Sequence, residues 1–399
     1  MRPAGTGTPG TARLYYLDNL RLFLIVLVVI LHAAQPYGPA DWWYVEGTER
    51  APALARWTTV GGTFLMSLFF LVSAYFVPAA HDRRGGARLL GERVRRFLPL
   101  ILVGFFVIVP VLMYAYYLNF RDHQPLGPLT YYTDVYLGAG ERPSGWTGPI
   151  WPDRQFAHLW FIQHLLVYVL LYTVSRWAVG LRGRTAGGRE DAAPPAAGTA
   201  PGTAAVIGFT AALAAATFLL RVWYPVDTWV PVLEFIQTEP ADLALQASFF
   251  AAGIMAYRRG WLSSFGDRAG YAWLAVGTAL AAAHIGFGDR LDTLYAPGGW
   301  TGGSLLWSVV ESVMCVSLSI GLLALFRRWA RRSGPVLAGG AALVFTVYVI
   351  HVPVVVALQY AAGDLGAWGG FAVAASGGVL LSFALAWAVN RTPVLRRVL

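Results

Sequence analysis

The sequence predicts an all-α, polytopic integral membrane protein of about ten transmembrane helices, with both termini in the cytoplasm. Hydrophobic residues make up 57% of the 399-residue chain and charged residues only 13%. A soluble domain of this size does not need so much apolar sequence. The apolar segments are long enough for helical spans of about 20 residues. Strands of a β-barrel would be shorter and would alternate in polarity.

Ten segments have the length and apolarity of a span, and 240–257 is the weakest because it is short. Small residues are frequent in 204–224 and 269–286, which favours close helix packing there. The ten predicted spans are 15–37, 58–80, 97–118, 156–181, 204–224, 240–257, 269–286, 304–326, 336–360 and 367–390.

The arginines predict the orientation of these spans. All 30 basic residues are arginine; with a cytoplasmic N-terminus, 21 fall in cytoplasmic segments and six in outer loops. Cytoplasmic loops of membrane proteins carry such an excess. The net charge of +9 is therefore attributed to arginines that orient the protein in a plasma or inner membrane. No nucleic-acid partner is expected.

The chain is predicted to form one transmembrane domain, 15–390, between cytoplasmic tails at 1–14 and 391–399. The Pro-, Gly- and Ala-rich segment 182–203 is predicted to be a flexible cytoplasmic linker. The longest outer loop, 119–155, contains Trp146 and Trp151. It could cover the mouth of a site, contact a sugar face or form a cap without a ligand role.

Several ionisable residues lie inside the predicted spans. His32, His164, Glu311 and His351 come from four spans and lie at one level, ~8–13 Å inside the outer boundary at 1.5 Å per residue. Ionisable groups are costly at this depth, so we expect them to converge on a cavity. His158 is expected near the outer surface.

Each of these residues also has a structural interpretation. A buried histidine can simply hydrogen-bond to a neighbouring helix, which is the favoured interpretation for His158 and His164 taken singly. For His351 the two interpretations are level, and Glu311 is expected to have a supporting role. His32 follows a long apolar run, which favours function. The spacings match no zinc signature, so no metal site is expected.

An arginine cluster lies in "RLLGERVRRFLPLI", 88–101, just before the third predicted span. Arg93 and Arg96 are three residues apart and share a helix face, an arrangement that suits phosphate. Anchoring at anionic headgroups is the alternative, and spacing alone favours it. Asp18 and Arg21 are predicted to form a local ion pair that is structural or helps to shape a cofactor entrance.

Five segments together carry a resemblance to a known family. They are "YLDNLRLFLIVLVVILHAAQPYG", "FLMSLFFLVSAYFVP", "RVRRFLP", "HLWFIQHLLVY" and "VYVIHVPVVV". In this order they resemble the membrane acyltransferase 3 family over about 15–390, and most closely the branch that includes the periplasmic-glucan succinylation protein. Where many members read FFLSGF, this chain has Ser73-Ala74-Tyr75, as that branch tends to.

The resemblance implies transfer of an acyl group, usually from acyl-CoA, to a hydroxyl of a carbohydrate or other acceptor. The family's essential histidine falls on His32, and its Arg-x-x-Arg motif falls on Arg93 and Arg96. Acyl-CoA is expected as co-substrate, with no permanently bound cofactor. No esterase-like domain is expected after the last span, so the acceptor is expected to meet the membrane core directly.

The expected mechanism places the CoA phosphates on Arg93 and Arg96, with Arg95 as a further contact. A buried, neutral His32 would be the general base, oriented by Glu311 or His351. His158, Trp160 and His164 would contact substrate. In a variant of this mechanism His32 is itself acylated.

A transporter or exporter of acylated glycan is the alternative function. Buried His, Glu and Arg also serve transport, but the broken helices or paired repeats typical of transporters are not evident in the sequence. A structural scaffold would leave the layer of ionisable residues unexplained.

Overall fold

A computed structural model of the chain describes residues 14–38, 43–47, 49–144, 154–183, 198–233 and 236–392. Trp146, Trp151, most of the predicted linker and nearly all of both predicted tails lie outside these residues.

The described residues form an all-α bundle with one short hairpin. The α-helices are α1 (Tyr15–Ala34), α2 (Pro52–Tyr75), α3 (Val77–Arg84), α4 (Gly86–Val103), α5 (Val109–Phe120), α6 (Pro128–Thr130), α7 (Trp160–Gly183), α8 (Thr203–Trp223), α9 (Pro240–Arg258), α10 (Trp261–Ser264), α11 (Asp267–Leu291), α12 (Gly302–Trp329), α13 (Pro335–Ala361) and α14 (Gly366–Arg391). The antiparallel strands β1 (Val230–Val232) and β2 (Ile236–Thr238) connect α8 to α9.

Nine helical segments within the described residues are long and apolar enough to cross a membrane. The chain is therefore a polytopic membrane protein. The predicted span 240–257 forms α9, but it is not among these nine. Its polarity has a structural reason, because Asp242 and Gln246 on α9 face an internal cavity.

The third span begins earlier than predicted. The sequence placed its start at 97, whereas α4 begins at Gly86, continues through a π-helical turn at Gly104–Ile108 and leads into α5. Arg93 and Arg96 consequently lie within the helix rather than before it. The first half of α4 is amphipathic. A prediction based on continuous apolar sequence therefore placed the start of the span too late.

Helix α1 lies at the centre of the bundle and packs against α2, α12, α13 and α14. Leu17, Leu20, Leu24 and Val28 recur every three or four residues and are buried, which is the spacing of one helix face. This packing places the side chains at both ends of α1 against those neighbouring helices.

Small residues bring α11 and α12 close together. A Cβ atom on Gly277 would lie 2.8 Å from the backbone nitrogen of Leu318. The predicted close packing of 269–286 is therefore present, because only glycine allows this approach. We call the end of the bundle at which α1 finishes the outer end, following the arginine distribution.

Candidate active site

His32 lies at the outer end of α1 and is held from two sides. Its imidazole stacks on Trp43, with ring centroids 5.4 Å apart and planes 14° apart. Trp43 Nε1 donates to Gln359 Oε1 at 2.9 Å, and Gln359 Nε2 donates to the His32 carbonyl at 2.9 Å. The amide of Gln359 thus ties the indole to the backbone that carries the imidazole.

His351 fixes the protonation pattern of His32. His351 Nδ1 lies 2.8 Å from the Tyr348 carbonyl oxygen, which only accepts, so Nδ1 must carry a hydrogen. In neutral His351, Nε2 is then an acceptor, and it lies 3.0 Å from His32 Nδ1. His32 therefore donates from Nδ1, which leaves the lone pair of its Nε2 free to accept a proton.

His158 is positioned by a proline. Pro353 lies inside α13 and has no N–H, so the carbonyl four residues earlier, that of Val349, lacks its helical donor. His158 Nε2 supplies the missing hydrogen bond at 2.9 Å. The His158 ring lies edge-on to His351, with centroids 5.4 Å apart. His158 is thus buried within the protein beside the His32–His351 pair.

The side chains of His32 and His158 line a cavity of about 770 Å³, which we call the outer cavity. Trp160 and Glu311 also line it, whereas His164 and His351 do not. His351 lies behind His32. His164 is held instead by the Trp160 carbonyl at 3.0 Å and Thr238 Oγ1 at 3.1 Å. His164 therefore fits the structural interpretation.

Glu311 pairs with an arginine rather than orienting His32. Its Oε2 lies 2.5 Å from Arg221 Nη2, and Asp242 Oδ1 lies 3.5 Å from the same nitrogen. The Arg221 side chain is 0% exposed. Two carboxylates around one buried guanidinium compensate its charge, and the sequence analysis did not anticipate this partner.

A carboxylate next to this group is strongly affected by burial. Burial raises the pKa of the Glu239 carboxyl well above its usual value of 4.5, and the neighbouring Asp242 and Asp227 raise it further. Asp227 donates its backbone N–H to Glu239 Oε1 at 2.8 Å. The outer cavity is therefore crowded with carboxyl groups.

The arginines line a second, smaller cavity of about 230 Å³ at the opposite end, which we call the arginine cavity. Arg93 and Arg96 line it together with Arg21. Arg95 is exposed and does not line it. Among the described residues that line it there is no carboxylate. Three guanidinium groups without an acidic lining residue favour an anionic ligand.

Tyr348 lines both cavities. Its hydroxyl donates to the His158 carbonyl, and its own carbonyl accepts from His351. One side chain of α13 thus separates the arginine cavity from the outer cavity and contacts the histidine group.

Several contributing residues were missed by the sequence analysis. Arg21 was interpreted as half of a local ion pair that is structural or helps to shape a cofactor entrance, and Trp43, Gln359 and His284 were not singled out. Arg221 gave a usable signal, because it is one of three arginines inside predicted spans. The others gave none, since only tertiary contacts distinguish them.

Within the described ranges, no group of three or more His, Cys, Asp or Glu side chains has an arrangement that could hold a metal ion.

The fold and the two cavities define a class of polytopic membrane protein. Its members have a histidine pair, here His32 and His351, towards the outer end of the helical bundle and an arginine cluster at the opposite end. An acyltransferase-domain model matches residues 14–391. The chain therefore belongs to the membrane acyltransferase 3 family and is a membrane acyltransferase. No curated protein matches the chain in sequence.

Proposed function

We propose that the protein transfers an acyl group from acyl-CoA to a hydroxyl of a carbohydrate or other hydroxylated acceptor, with His32 as general base. The observation that carries this proposal is the hydrogen bond between His32 and His351, because it leaves His32 Nε2 as an acceptor beside the outer cavity.

The donor binds at the arginine cavity. Arg93, Arg96 and Arg21 offer charge-assisted hydrogen bonds to the phosphates of CoA. Arg21 and His32 both lie on α1, eleven residues apart, so the phosphate site and the base are separated by about 16 Å along the helix. The thioester arm would extend past Tyr348 to reach the histidine.

The reaction balances without a further reagent. The acceptor hydroxyl gives its proton to His32 Nε2 as its oxygen attacks the thioester carbonyl. The new C–O ester bond forms, the C–S bond breaks, and CoA leaves as thiolate, which takes up the proton from His32. His351 keeps its own Nδ1 hydrogen on the Tyr348 carbonyl throughout. In the covalent variant, His32 Nε2 attacks the thioester itself.

The test uses purified protein in detergent, labelled acetyl-, succinyl- and palmitoyl-CoA, and a panel of glycosides. We expect labelled ester and stoichiometric CoA release, both lost in His32→Gln and retained in His164→Gln. Burst release of one CoA per protein without acceptor would favour the covalent variant. Export of an acylated glycan by proteoliposomes, without any ester formed by the protein, would instead establish a transporter.

A further inference from the structure

The outer cavity extends beyond His32 to a wall with buried polar atoms that lack partners. Gln246 and His284 line it and are 5% and 4% exposed. Within the described part of the chain, Gln246 Oε1 and His284 Nδ1 have no hydrogen-bond partner. Buried polar atoms are normally paired, so unpaired ones that line a cavity indicate a ligand that would satisfy them.

Aromatic rings adjoin these atoms. The rings of His284 and Trp307 are 5.4 Å apart, and those of Trp307 and Tyr295 are 4.9 Å apart. All three residues line the outer cavity. Aromatic rings beside unpaired polar atoms suit a ligand with apolar C–H faces and polar hydroxyl edges.

The charges around this wall oppose an acidic ligand. Five carboxyl residues line the outer cavity, namely Asp227, Glu239, Asp242, Asp292 and Glu311, whereas Arg56 is the one arginine that lines it among the described residues. Arg56 pairs with Asp289 and lies 3.9 Å from Asp292. Even with Arg221 counted against Glu311 and Asp242, carboxyl groups outnumber arginines around the cavity, and their oxygens can accept from a ligand that carries donors.

We propose that the wall formed by Gln246, His284, Tyr295 and Trp307 is the acceptor subsite, and that it selects a neutral or amine-bearing sugar residue over one with a carboxylate or phosphate. This inference rests on the proposed function, because it assigns the acceptor of the same reaction. Beyond the proposed function, the inference names the place where the acceptor binds and the charge of the acceptor. Hydroxyl and ammonium groups donate to the acceptor atoms, whereas an acidic sugar brings like charge to the carboxyl groups.

The experiment measures binding of four sugars to the detergent-solubilised protein without any acyl donor, by isothermal calorimetry. The probes are methyl β-D-glucopyranoside, D-glucosamine, D-glucuronic acid and D-glucose 6-phosphate. We expect the first two to bind at least tenfold more tightly than the acidic pair, since like-charge contacts weigh against the wrong ligand. The same order is expected for the acceptor KM in transfer.

Gln246→Leu removes the unpaired acceptor at similar side-chain volume. Because one hydrogen bond is lost, we expect the dissociation constant for glucosamine to increase about tenfold. Gln163→Leu is the matched control, since Gln163 is a helical glutamine that does not line the outer cavity. The KM for acyl-CoA should stay unchanged in both variants.

The subsite is wrong if glucuronic acid binds as tightly as the methyl glucoside, or if Gln246→Leu binds like Gln163→Leu. Failure to bind any of the four sugars also overturns it. Selective binding without any ester formation would support the subsite and count against the proposed acyl transfer alone, so the two failures are distinguishable.

Discussion

His32 Nδ1 and His351 Nε2 lie 3.0 Å apart, although 319 residues separate them in sequence. The contact joins the outer end of α1 to the middle of α13. Its direction is set by the Tyr348 carbonyl behind His351. Protein backbone thus determines which nitrogen of His32 can accept a proton.

A substitution at His32 should affect chemistry more than folding. General-base catalysis contributes ~10²–10⁴-fold, so His32→Gln should lose about that much in kcat. Glutamine cannot take up the proton. The variant should still bind acyl-CoA, measured by equilibrium dialysis. His164→Gln is the matched control and should be much milder. Activity near wild type in His32→Gln would exclude the general-base role.

His351 should act as a positioning residue. His351→Leu removes the acceptor that fixes the His32 tautomer, and by analogy with other residues that orient an active imidazole we expect a loss of ~10–100-fold in kcat with little change in KM. His351→Gln offers an amide oxygen to His32 Nδ1 and should restore part of the activity. A purely structural role predicts instead that both variants lose thermal stability in proportion to activity.

The arginine cavity should determine donor affinity. Charge-assisted hydrogen bonds contribute ~1.5–3 kcal/mol each, so Arg93→Ala and Arg96→Ala should each raise the KM for acyl-CoA at least tenfold. Arg21→Ala should have a similar effect because it lines the same cavity. Arg95→Ala is the control from the same turn, since Arg95 does not line the arginine cavity. Equal KM values in all four variants would leave membrane anchoring as the explanation.

The buried Arg221 should matter to stability. Arg221→Met leaves Glu311 and Asp242 buried without their counter-charge, which costs ~3–5 kcal/mol for a broken buried pair. We expect a markedly lower melting temperature in detergent. The double variant Arg221→Met/Glu311→Gln should recover part of the loss. Asp364→Asn, an exposed substitution at the same end, should not change the melting temperature. A stable Arg221→Met protein would show that water solvates these carboxylates.

Glu239 should make stability depend on pH. Its pKa is higher in the folded protein than the ordinary 4.5 because it is partly buried and lies beside Asp242 and Asp227. Between pH 4.5 and its raised pKa, Glu239 is protonated in the folded state and ionised in the unfolded state. The free energy of unfolding therefore falls as the pH rises through this range. Melting temperatures measured from pH 5 to 9 should decline less steeply in Glu239→Gln. Parallel curves for the two proteins would contradict this assignment.

The orientation of the spans is testable independently of activity. Reporter fusions after Gly85, residue 190 and Ser333 should report cytoplasm, and fusions after Gly47, Gln124 and Gly298 should report the outer side. Gly85, Ser333, Gly47, Gln124 and Gly298 lie between helices, residue 190 belongs to the linker predicted from the sequence, and the arginine excess predicts the side of each position. A reversed pattern would place the arginine cavity on the wrong side for cytoplasmic acyl-CoA.

The sequence by itself determined the membrane class, the helices and the family, because apolar length and motif order are properties of contiguous segments. The positions of His32, Arg93 and Arg96 could likewise be singled out, since ionisable residues within or beside apolar runs are conspicuous. A boundary was wrong where a helix is amphipathic, as at the start of α4, whereas the bounds predicted for α9 agree with the structure to one residue.

Only the tertiary structure decided which of these residues meet. It placed His351, and not Glu311, on His32, and it gave Glu311 to Arg221. It brought Arg21 to Arg93 and Arg96 around one cavity and left Arg95 outside that cavity. The physical reason is that depth along a helix follows from residue count, whereas the direction in which a side chain faces depends on the packing of helices that are distant in sequence.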